Sequence, residues 1–293
     1  MKGKMKLKQN SFLLLVTILL FFIMYGIGCV LFNAQGFSKT QNFLNLFISN
    51  AGLIVIGIGM TVVMITGGID ISVGSFVAMG CMMLAWMMEK GGIGAVPAVI
   101  IVLVTGIVFG LVQGFLVAYM DIQPFIVTLA GMFFARGMTT IVHTDPFNVQ
   151  NKAFVALKDT RVIVPGMGSV NRIGKYVDAY VEIGVIVALL IVVLMFVMLR
   201  WSKLGRAFYA VGGNKQSALM LGINVKRTRF LAQLFSGVLA GIAGYVYFLH
   251  VGSGSASHAT GMEMNAIASS IIGGTLLTGG VGNIIGTFSE YFL

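Results

Sequence analysis

The sequence predicts an all-α polytopic membrane protein with about eight transmembrane helices. Two observations support this prediction: the apolar composition of the chain and the number of apolar runs long enough to span a membrane. Of the 293 residues, 58% are hydrophobic and 10% are charged, and the mean hydropathy is +0.97. Soluble domains are about 45–50% apolar and about 25% charged, so soluble, disordered and fibrous classes are excluded. Apolar runs of spanning length lie near 11–32, 46–66, 71–88, 94–118, 124–142, 182–199, 230–250 and 264–287.

The first run follows a basic segment at 2–8, an arrangement that signal peptides also have. Its apolar part is about 20 residues long, which suits a membrane span better than a cleavable segment. The segment 33–35 that follows lacks a small-residue cleavage pattern. We therefore expect an uncleaved first helix after a cytoplasmic tail at 1–10.

The distribution of basic residues predicts that the N-terminus is cytoplasmic. In that orientation the cytoplasmic segments hold eleven Lys and Arg residues, and the opposite segments hold seven. This follows the positive-inside rule. The orientation makes 143–181 a periplasmic loop and 200–229 a cytoplasmic loop. The net charge of +10 is then explained by loop bias, so we expect no nucleic-acid partner.

Two sets of glycines recur every four residues within the apolar runs. Gly106, Gly110 and Gly114 form one set, and Gly237 and Gly241 form the other. Small residues at this spacing let transmembrane helices approach closely. We assign these glycines to helix packing and to no chemistry.

A search for catalytic motifs finds none in this sequence. The three histidines have no partner at metal-ligand spacing, and the two cysteines lie in apolar runs. The chain also lacks the phosphate-binding pattern GxxxxGK[ST]. We therefore expect no catalytic residue, metal or cofactor on this chain. If the chain takes part in a process that consumes ATP, another chain must bind the nucleotide.

The segment 67–75 (GGIDISVGS) interrupts a long apolar stretch. Its polar and glycine positions Gly67, Gly68, Asp70 and Ser72 are candidates for a solute path, because ionisable residues near a span are costly and glycines permit irregular backbone there. The alternative is a tight cytoplasmic turn in which Asp70 or Ser72 caps the next helix. Both interpretations can hold together.

The segment 124–137 (PFIVTLAGMFFARG) begins a helix with proline in its first turn, as proline prefers. Thr128 and Phe133 are further path candidates, although the Thr128 hydroxyl could equally bond to its own helix. Arg136 lies within a predicted span. Its side chain either extends outward to water or pairs with a carboxylate across the bundle.

The loop at 205–223 contains a short helix pattern that begins at Asn214, continues through Ala218 and stops at Gly222. A short amphipathic helix beside the membrane can dock in the groove of a soluble partner. It can also lie on anionic lipid, which the basic flanks favour. The residues alone leave these two alternatives open.

Four segments carry a family resemblance: 67–75, 124–137, 210–223 (AVGGN…A…LGI) and 266–287 (AIASSIIGGTLLTGGVGNIIGT). In this order they resemble the permease subunit of bacterial ABC-type monosaccharide importers, the ribose, galactose and galactofuranose group. The resemblance extends from about residue 12 to 288. The amino-acid sequences of the second and fourth segments, 124–137 and 266–287, are most similar to a galactofuranose permease.

The resemblance implies a type II ABC importer-like fold in a single permease domain over 1–293. It implies an assembly with an ATPase subunit that binds ATP and Mg, a second permease chain, identical or homologous, a periplasmic sugar-binding protein and membrane lipid. The family usually continues for some tens of residues beyond the GGVG segment, so a C-terminal truncation is expected.

The resemblance also assigns roles to residues of this chain. The coupling residues that dock on the ATPase would be Gly212, Gly213, Asn214, Ala218, Gly222 and Ile223. The segments around the translocation path supply the candidates Gly67, Gly68, Asp70, Ser72, Thr128 and Phe133.

The predicted function is therefore half of the translocation path of an ATP-driven monosaccharide importer, for a galactofuranose- or ribose-like sugar, with ATP hydrolysis on a partner. The scarcity of intramembrane charge agrees with a neutral substrate. A secondary transporter, which would show inverted repeats, is one alternative. An ABC permease for a non-sugar solute is the other.

Overall fold

The computed structural model describes residues 2–32, 36–170 and 176–291, and most of these residues are helical. Among them, five helices are long and apolar enough to cross a membrane. They are α2 (Thr40–Ile65), α4 (Ala95–Ala118), α5 (Pro124–Val142), α7 (Ile183–Trp201) and α10 (Val225–Val251). Two further apolar helices belong to the same bundle: α1 (Lys2–Leu31) and α3 (Val73–Glu89).

Helix α2 lies at the centre of the bundle. Every residue from Ile54 to Ile65 is buried, and these side chains pack against apolar residues of α3, α7 and α10. A helix that is apolar on all sides is stable only when other helices or lipid surround it. The all-round apolar sequence of α2 therefore explains its central position.

Helices α4 and α10 meet through the two sets of glycines. A Cβ built on Gly237 would lie 2.6 Å from the Gly110 Cα, and one on Gly106 would lie 2.7 Å from the Gly237 carbonyl oxygen. Only hydrogen fits between the backbones at these positions, as in other small-residue helix contacts. The packing role predicted for these glycines is confirmed.

The prediction of one span over 264–287 is wrong. This segment forms a helical hairpin of α11 (Met262–Ile272) and α12 (Ile284–Glu290). Gly274, Gly279 and Gly280 have positive φ angles between the two helices, so the helix cannot continue through them. Both arms pack beside α2, and the Thr61 hydroxyl contacts hydroxyls of both.

The predicted loop 143–181 contains secondary structure that the all-α prediction missed. It holds β1 (Phe147–Asn148), α6 (Lys152–Lys158), β2 (Arg161–Val170) and β3 (Tyr176–Glu182). Strands β2 and β3 pair antiparallel, and β1 pairs with β4 (Ser253–Gly254). Residues 171–175 of this predicted loop lie outside the described ranges. We call this end of the bundle, where the β2–β3 hairpin lies, the hairpin end. The name refers to the two strands and not to the α11–α12 hairpin.

The predicted loop 200–229 forms two helices at the opposite end of the bundle. Helix α8 (Lys203–Gly213) follows α7 directly, and α9 (Lys215–Met220) precedes α10. Ser202 caps α8, because its side-chain oxygen accepts a hydrogen bond from the Gly205 N–H at 2.9 Å. We call this end the α9 end.

Candidate functional site

Helix α9 has the bounds that the sequence predicted. The Asn214 Oδ1 accepts a hydrogen bond from the Ser217 N–H at 2.9 Å, which caps the first turn. Gly222 follows the helix with a φ of 75°, a left-handed conformation that stops it. The Ile223 N–H donates to the Ala218 carbonyl oxygen at 3.0 Å and closes the turn. The cap and the stop together fix the orientation of the helix.

The surface of α9 divides sharply between buried and exposed residues. Ala218 is 1% exposed and faces the bundle, whereas Leu219, Met220 and Leu221 are 55%, 80% and 76% exposed. We call these three side chains the α9 apolar patch. Contiguous exposed apolar side chains mark sites of protein or membrane contact. The patch is therefore a candidate contact surface, for a protein or for the membrane, at the α9 end.

The C-terminus of α8 packs backbone against backbone on the bundle. A Cβ built on Gly212 would overlap the Ile65 carbonyl oxygen and would lie 2.5 Å from the Gly280 nitrogen. The Gly280 N–H donates to the Ile65 carbonyl oxygen at 2.8 Å. A Cβ on Gly280 would lie 2.6 Å from the Gly213 Cα. We call the contact of Ile65, Gly212, Gly213 and Gly280 the glycine junction.

The glycine junction connects three parts of the chain. It joins the helix that precedes α9 to the end of α2 and to the turn of the α11–α12 hairpin. The Tyr209 hydroxyl of α8 adds a hydrogen bond at 3.0 Å to the Gly282 carbonyl oxygen. Packed backbones without intervening side chains leave little room for independent movement. A displacement of α8 and α9 should therefore be passed directly to α2 and to the hairpin.

The Asp70 carboxylate lies fully buried in the connection between α2 and α3. Its Oδ1 accepts hydrogen bonds from the Ser72 N–H at 3.0 Å and from the Ser72 hydroxyl at 2.5 Å. Its Oδ2 accepts one from the Ser236 hydroxyl of α10 at 2.7 Å. A buried carboxylate is costly unless donors compensate its lost hydration. Three neutral donors supply that compensation here.

The donors around Asp70 form a longer chain. The Gln113 Nε2 of α4 donates to the Ser72 Oγ at 2.9 Å, and the Gln233 Nε2 of α10 donates to the Gln113 Oε1 at 3.4 Å. All these bonds are directed toward Asp70. We call Asp70, Ser72, Gln113, Gln233 and Ser236 the buried polar network. It ties the α2–α3 connection to α4 and α10.

The helix-capping interpretation of this segment needs correction. Ser72 occupies the N-cap position of α3, yet its side chain accepts no capping hydrogen bond from the helix. Its hydroxyl donates to Asp70 instead. The Asp70 carboxylate accepts a hydrogen bond from the N–H of Ser72, which precedes the first residue of α3. The carboxylate therefore organises a connection between helices and does not cap α3.

The other path candidates lie in different surroundings. Thr128 is fully buried, and its hydroxyl is 3.2 Å from the Ile69 carbonyl oxygen and 3.3 Å from the Phe125 carbonyl oxygen. Gly67 has a φ of 81°, and a Cβ on Gly68 would lie 3.4 Å from Pro124. The structure thus brings the 67–72 segment and the start of α5 together.

Phe133 is separate from this group. Its side chain is 66% exposed on α5, so it lies on the surface of this chain and not among the buried polar groups.

Among the residues that the structure describes, Arg136 pairs with no carboxylate, which corrects one of the two predicted alternatives. Its Nη1 donates to the Ala256 carbonyl oxygen at 2.9 Å and to the His258 carbonyl oxygen at 2.8 Å. The side chain reaches this loop at the hairpin end, where it is partly buried, so the alternative of outward extension stays a prediction. Arg136 therefore anchors the backbone of the loop after α10.

A family profile described as "Branched-chain amino acid transport system / permease component" matches residues 42–289 of the chain. This chain belongs to that permease family. The match includes the buried polar network, the glycine junction and α9. No solved structure matches this permease.

Curated relatives agree with the family. The permease is 36% identical to the fructose import permease protein FruG of Bifidobacterium longum over 98% of this chain and 82% of FruG. It is 36% identical to the inner membrane ABC transporter permease protein YjfF of Escherichia coli K12 over 94% of this chain and 79% of YjfF. It is 33% identical to the ribose import permease protein RbsC of that strain, over 87% and 75%.

These similarities confirm part of what the sequence predicted. The permease belongs with sugar ABC permeases and with membrane transport, and its location as a multi-pass protein of the bacterial plasma (inner) membrane is confirmed. Galactofuranose is not the sugar that these relatives name. The number of membrane spans and the orientation stay untested, apart from the segment 264–287, which is not one continuous helix.

Sequence reasoning missed Gln113, Gln233 and Ser236. All three are polar residues inside long apolar helices, and an amide within such a helix is a signal that it needs a partner. That signal could have identified the residues but not the partner, because Asp70 lies far away along the chain. Within the described part of the chain, no group of three or more metal-ligating side chains occurs.

Proposed function

We propose that this chain is the membrane-spanning permease subunit of an ATP-driven monosaccharide importer and forms half of its translocation path. The observation that carries the proposal is the α9 apolar patch, held on a capped helix and backed by the glycine junction. An apolar patch on a fixed short helix is suited to a groove in a soluble protein. The family membership supports an ATPase as that protein.

In this proposal the α9 end is cytoplasmic and the hairpin end is periplasmic. ATP and Mg bind to the partner ATPase, and this chain contributes no catalytic group. Closure of the ATPase pair moves α9, and the coupling residues Gly212, Gly213, Asn214, Ala218, Gly222 and Ile223 receive that movement. The glycine junction passes it to α2 and the α11–α12 hairpin. The membrane helices then switch between outward and inward opening.

The substrate proposed is a neutral monosaccharide delivered by a periplasmic sugar-binding protein. The Asp70 carboxylate is satisfied by hydroxyl, amide and backbone donors, which suits a path without a permanently exposed charge. Relatives named for fructose and ribose import support this substrate class. A galactofuranose-like sugar is the finer proposal.

We propose that the six path candidates surround the solute path: Gly67, Gly68, Asp70, Ser72, Thr128 and Phe133. The buried polar network suggests that two of them act by positioning helices and not by contacting the solute. Because the hydrogen bonds of Asp70 and Ser72 are already made within the bundle, we assign these two residues to positioning α3, α4 and α10 around the path.

The test is uptake into proteoliposomes that contain this permease, its ATPase and its binding protein. We expect a labelled monosaccharide, from a panel of D-fructose, D-ribose and D-galactose, to accumulate only with ATP on the ATPase side. The variant Met220→Asp should abolish uptake, because it places a charge in the α9 apolar patch. Met220→Leu, the matched control, should retain uptake. ATP-dependent uptake that is equal in both variants would contradict the assigned docking surface.

One observation favours a second candidate, an ABC permease for a non-sugar solute. The description of the matching family names branched-chain amino acids. ATP-dependent uptake of leucine, without uptake of any sugar in the panel, would establish that candidate. Uptake driven by a proton gradient without ATP would instead establish a secondary transporter.

A further inference from the structure

A cavity of about 370 Å³ opens at the hairpin end, between α2, α10 and the loop that joins α10 to α11. Its polar lining consists of hydroxyl, amide, imidazole and phenol side chains: Ser49, Asn50, Tyr247, Ser257, His258 and Thr260. Pockets for small molecules occupy about 300–1,000 Å³. The volume is therefore sufficient for one small ring molecule.

The loop that forms one wall of the cavity is held in a special conformation. Arg136 binds the carbonyl oxygens of Ala256 and His258 from α5. Ala259 has a φ of 54°, which is uncommon for a residue other than glycine. The Thr260 hydroxyl donates to the Ser257 carbonyl oxygen at 2.8 Å. Strained backbone of this kind persists only where surrounding contacts impose it, and it clusters at ligand sites.

The chemistry of the lining selects a neutral ligand. Among the described residues that line the cavity, none is an Asp, Glu, Lys or Arg. Burial lowers the pKa of His258 below its ordinary value, which favours the uncharged form of its ring. A carboxylate or ammonium ligand would find no opposite charge there. Hydroxyl groups, in contrast, would find donors and acceptors on several sides.

The apolar part of the lining is equally informative. The Tyr247 ring meets the His258 ring edge to face, with 5.7 Å between their centroids, and Leu53 and Met262 add apolar surface. A sugar ring has C–H faces that pack on such surfaces, while its hydroxyls hydrogen-bond around the rim.

We infer that this cavity is a binding site for a single neutral sugar ring at the hairpin end of the permease. The inference rests on the proposed function and adds a location to it. The sugar released by the binding protein would bind between Tyr247 and the Arg136-anchored loop before it passes deeper into the bundle. The loop residues Ser257, His258 and Thr260 then act in substrate binding, a role that their sequence did not indicate.

The first test measures protection of a cysteine in the cavity. Thr260→Cys, an exposed position of the lining, is labelled with a membrane-impermeant maleimide in the permease–ATPase complex without binding protein. The transported sugar at high millimolar concentration should slow this labelling at least about threefold. Leucine at the same concentration should not. Thr160→Cys, exposed just after α6, is the control, and its labelling should not respond to either solute.

The second test separates binding from turnover in the reconstituted transporter. Tyr247→Leu should raise the sugar concentration for half-maximal uptake about fivefold, since aromatic contacts contribute about 0.5–1.5 kcal/mol. Tyr245→Leu is the matched control, because Tyr245 lies on the same helix outside the lining. It should leave the half-maximal concentration unchanged.

The outcomes distinguish this inference from the proposed function. If the wild type takes up sugar with ATP, but sugar gives no protection and the two tyrosine variants behave alike, the cavity assignment is overturned and the proposed function stands. If the wild type takes up no sugar at all, the proposed function is overturned, and the sugar site with it.

Discussion

Replacing Gly212 with alanine should disturb the glycine junction, because the added methyl group has no space. Its Cβ would overlap the Ile65 carbonyl oxygen and would lie 2.5 Å from the Gly280 nitrogen. Both neighbours are backbone atoms, and they are joined by a hydrogen bond of 2.8 Å. The substitution must therefore separate α8 from α2 and the hairpin turn.

The expected size of the effect follows from three contributions. Overpacking costs about 1–3 kcal/mol, and loss of the Gly280–Ile65 hydrogen bond adds about 1 kcal/mol. Alanine in place of glycine within a helix returns up to about 1 kcal/mol. The net destabilisation of Gly212→Ala should therefore be about 1–4 kcal/mol.

The neighbouring residue provides the matched control. A Cβ on Gly213 would have the Gly280 Cα as its nearest neighbour, at 4.0 Å, which is an ordinary contact distance. Gly213→Ala should therefore keep or slightly raise the Tm, because only the gain in helix propensity applies. The two variants make the same chemical change one residue apart.

The assay has two parts, both on the detergent-solubilised permease–ATPase complex. Thermal unfolding should give a lower Tm for Gly212→Ala than for Gly213→Ala. ATP hydrolysis with the sugar-loaded binding protein should show that Gly212→Ala weakens the stimulation while the basal rate persists. Equal Tm values and equal stimulation in the two variants would refute the view that the glycine junction transmits movement.

Three further predictions concern other parts of the bundle. Asp70→Ala should lower the Tm more than Ser236→Ala. Loss of the carboxylate leaves several buried donors without an acceptor, and each unpaired donor costs about 1–3 kcal/mol of stability. Equal Tm values for the two variants would contradict the role assigned to the buried polar network. The hydrogen bond from Arg229 holds the pKa of Asp121 below its ordinary value. The stabilisation by this ion pair should therefore be present above about pH 4. It should be lost as the pH falls through the lowered pKa. Asp121→Asn should therefore lower the Tm slightly at pH 7 and by less at pH 3, and an equal loss at both would argue against the ion pair; the effect is small because Asp121 is exposed. Gly237→Val should prevent α4 and α10 from packing and reduce the yield of folded protein in size-exclusion chromatography, whereas Gly137→Val, where a Cβ meets nothing within 4 Å, should not.

Run length and composition predicted most of the bundle because long apolar helices are determined locally. The bounds of α4, α5, α7 and α9 could be placed within a few residues from apolar runs, Pro124, Asn214 and Gly222, whereas α2 begins six residues before its predicted run. The same reasoning failed at 264–287, since an apolar run of spanning length does not distinguish one helix from two arms of a hairpin. Only the left-handed turn at Gly279 and Gly280 decides between them.

The site was less predictable, because its contacts join distant parts of the chain. The motif around Asp70 was visible, but its partner Ser236 lies 166 residues away, and nothing local indicates that pairing. Gly212 was assigned to coupling through the family resemblance, yet its contact with Ile65 and Gly280 depends on the hairpin that was not predicted. The cavity beside Tyr247 likewise forms only when α2, α10 and the following loop assemble.

The central claim is that α9 couples this permease to an ATPase. The most direct measurement is purification of the tagged chain from native membranes in mild detergent, with every co-purifying protein identified by mass spectrometry. The proposal predicts that wild type and Met220→Leu retain an ATPase subunit and a second permease chain, and that Met220→Asp loses the ATPase while still inserting in the membrane. Wild-type protein that purifies without any ATPase would contradict the claim.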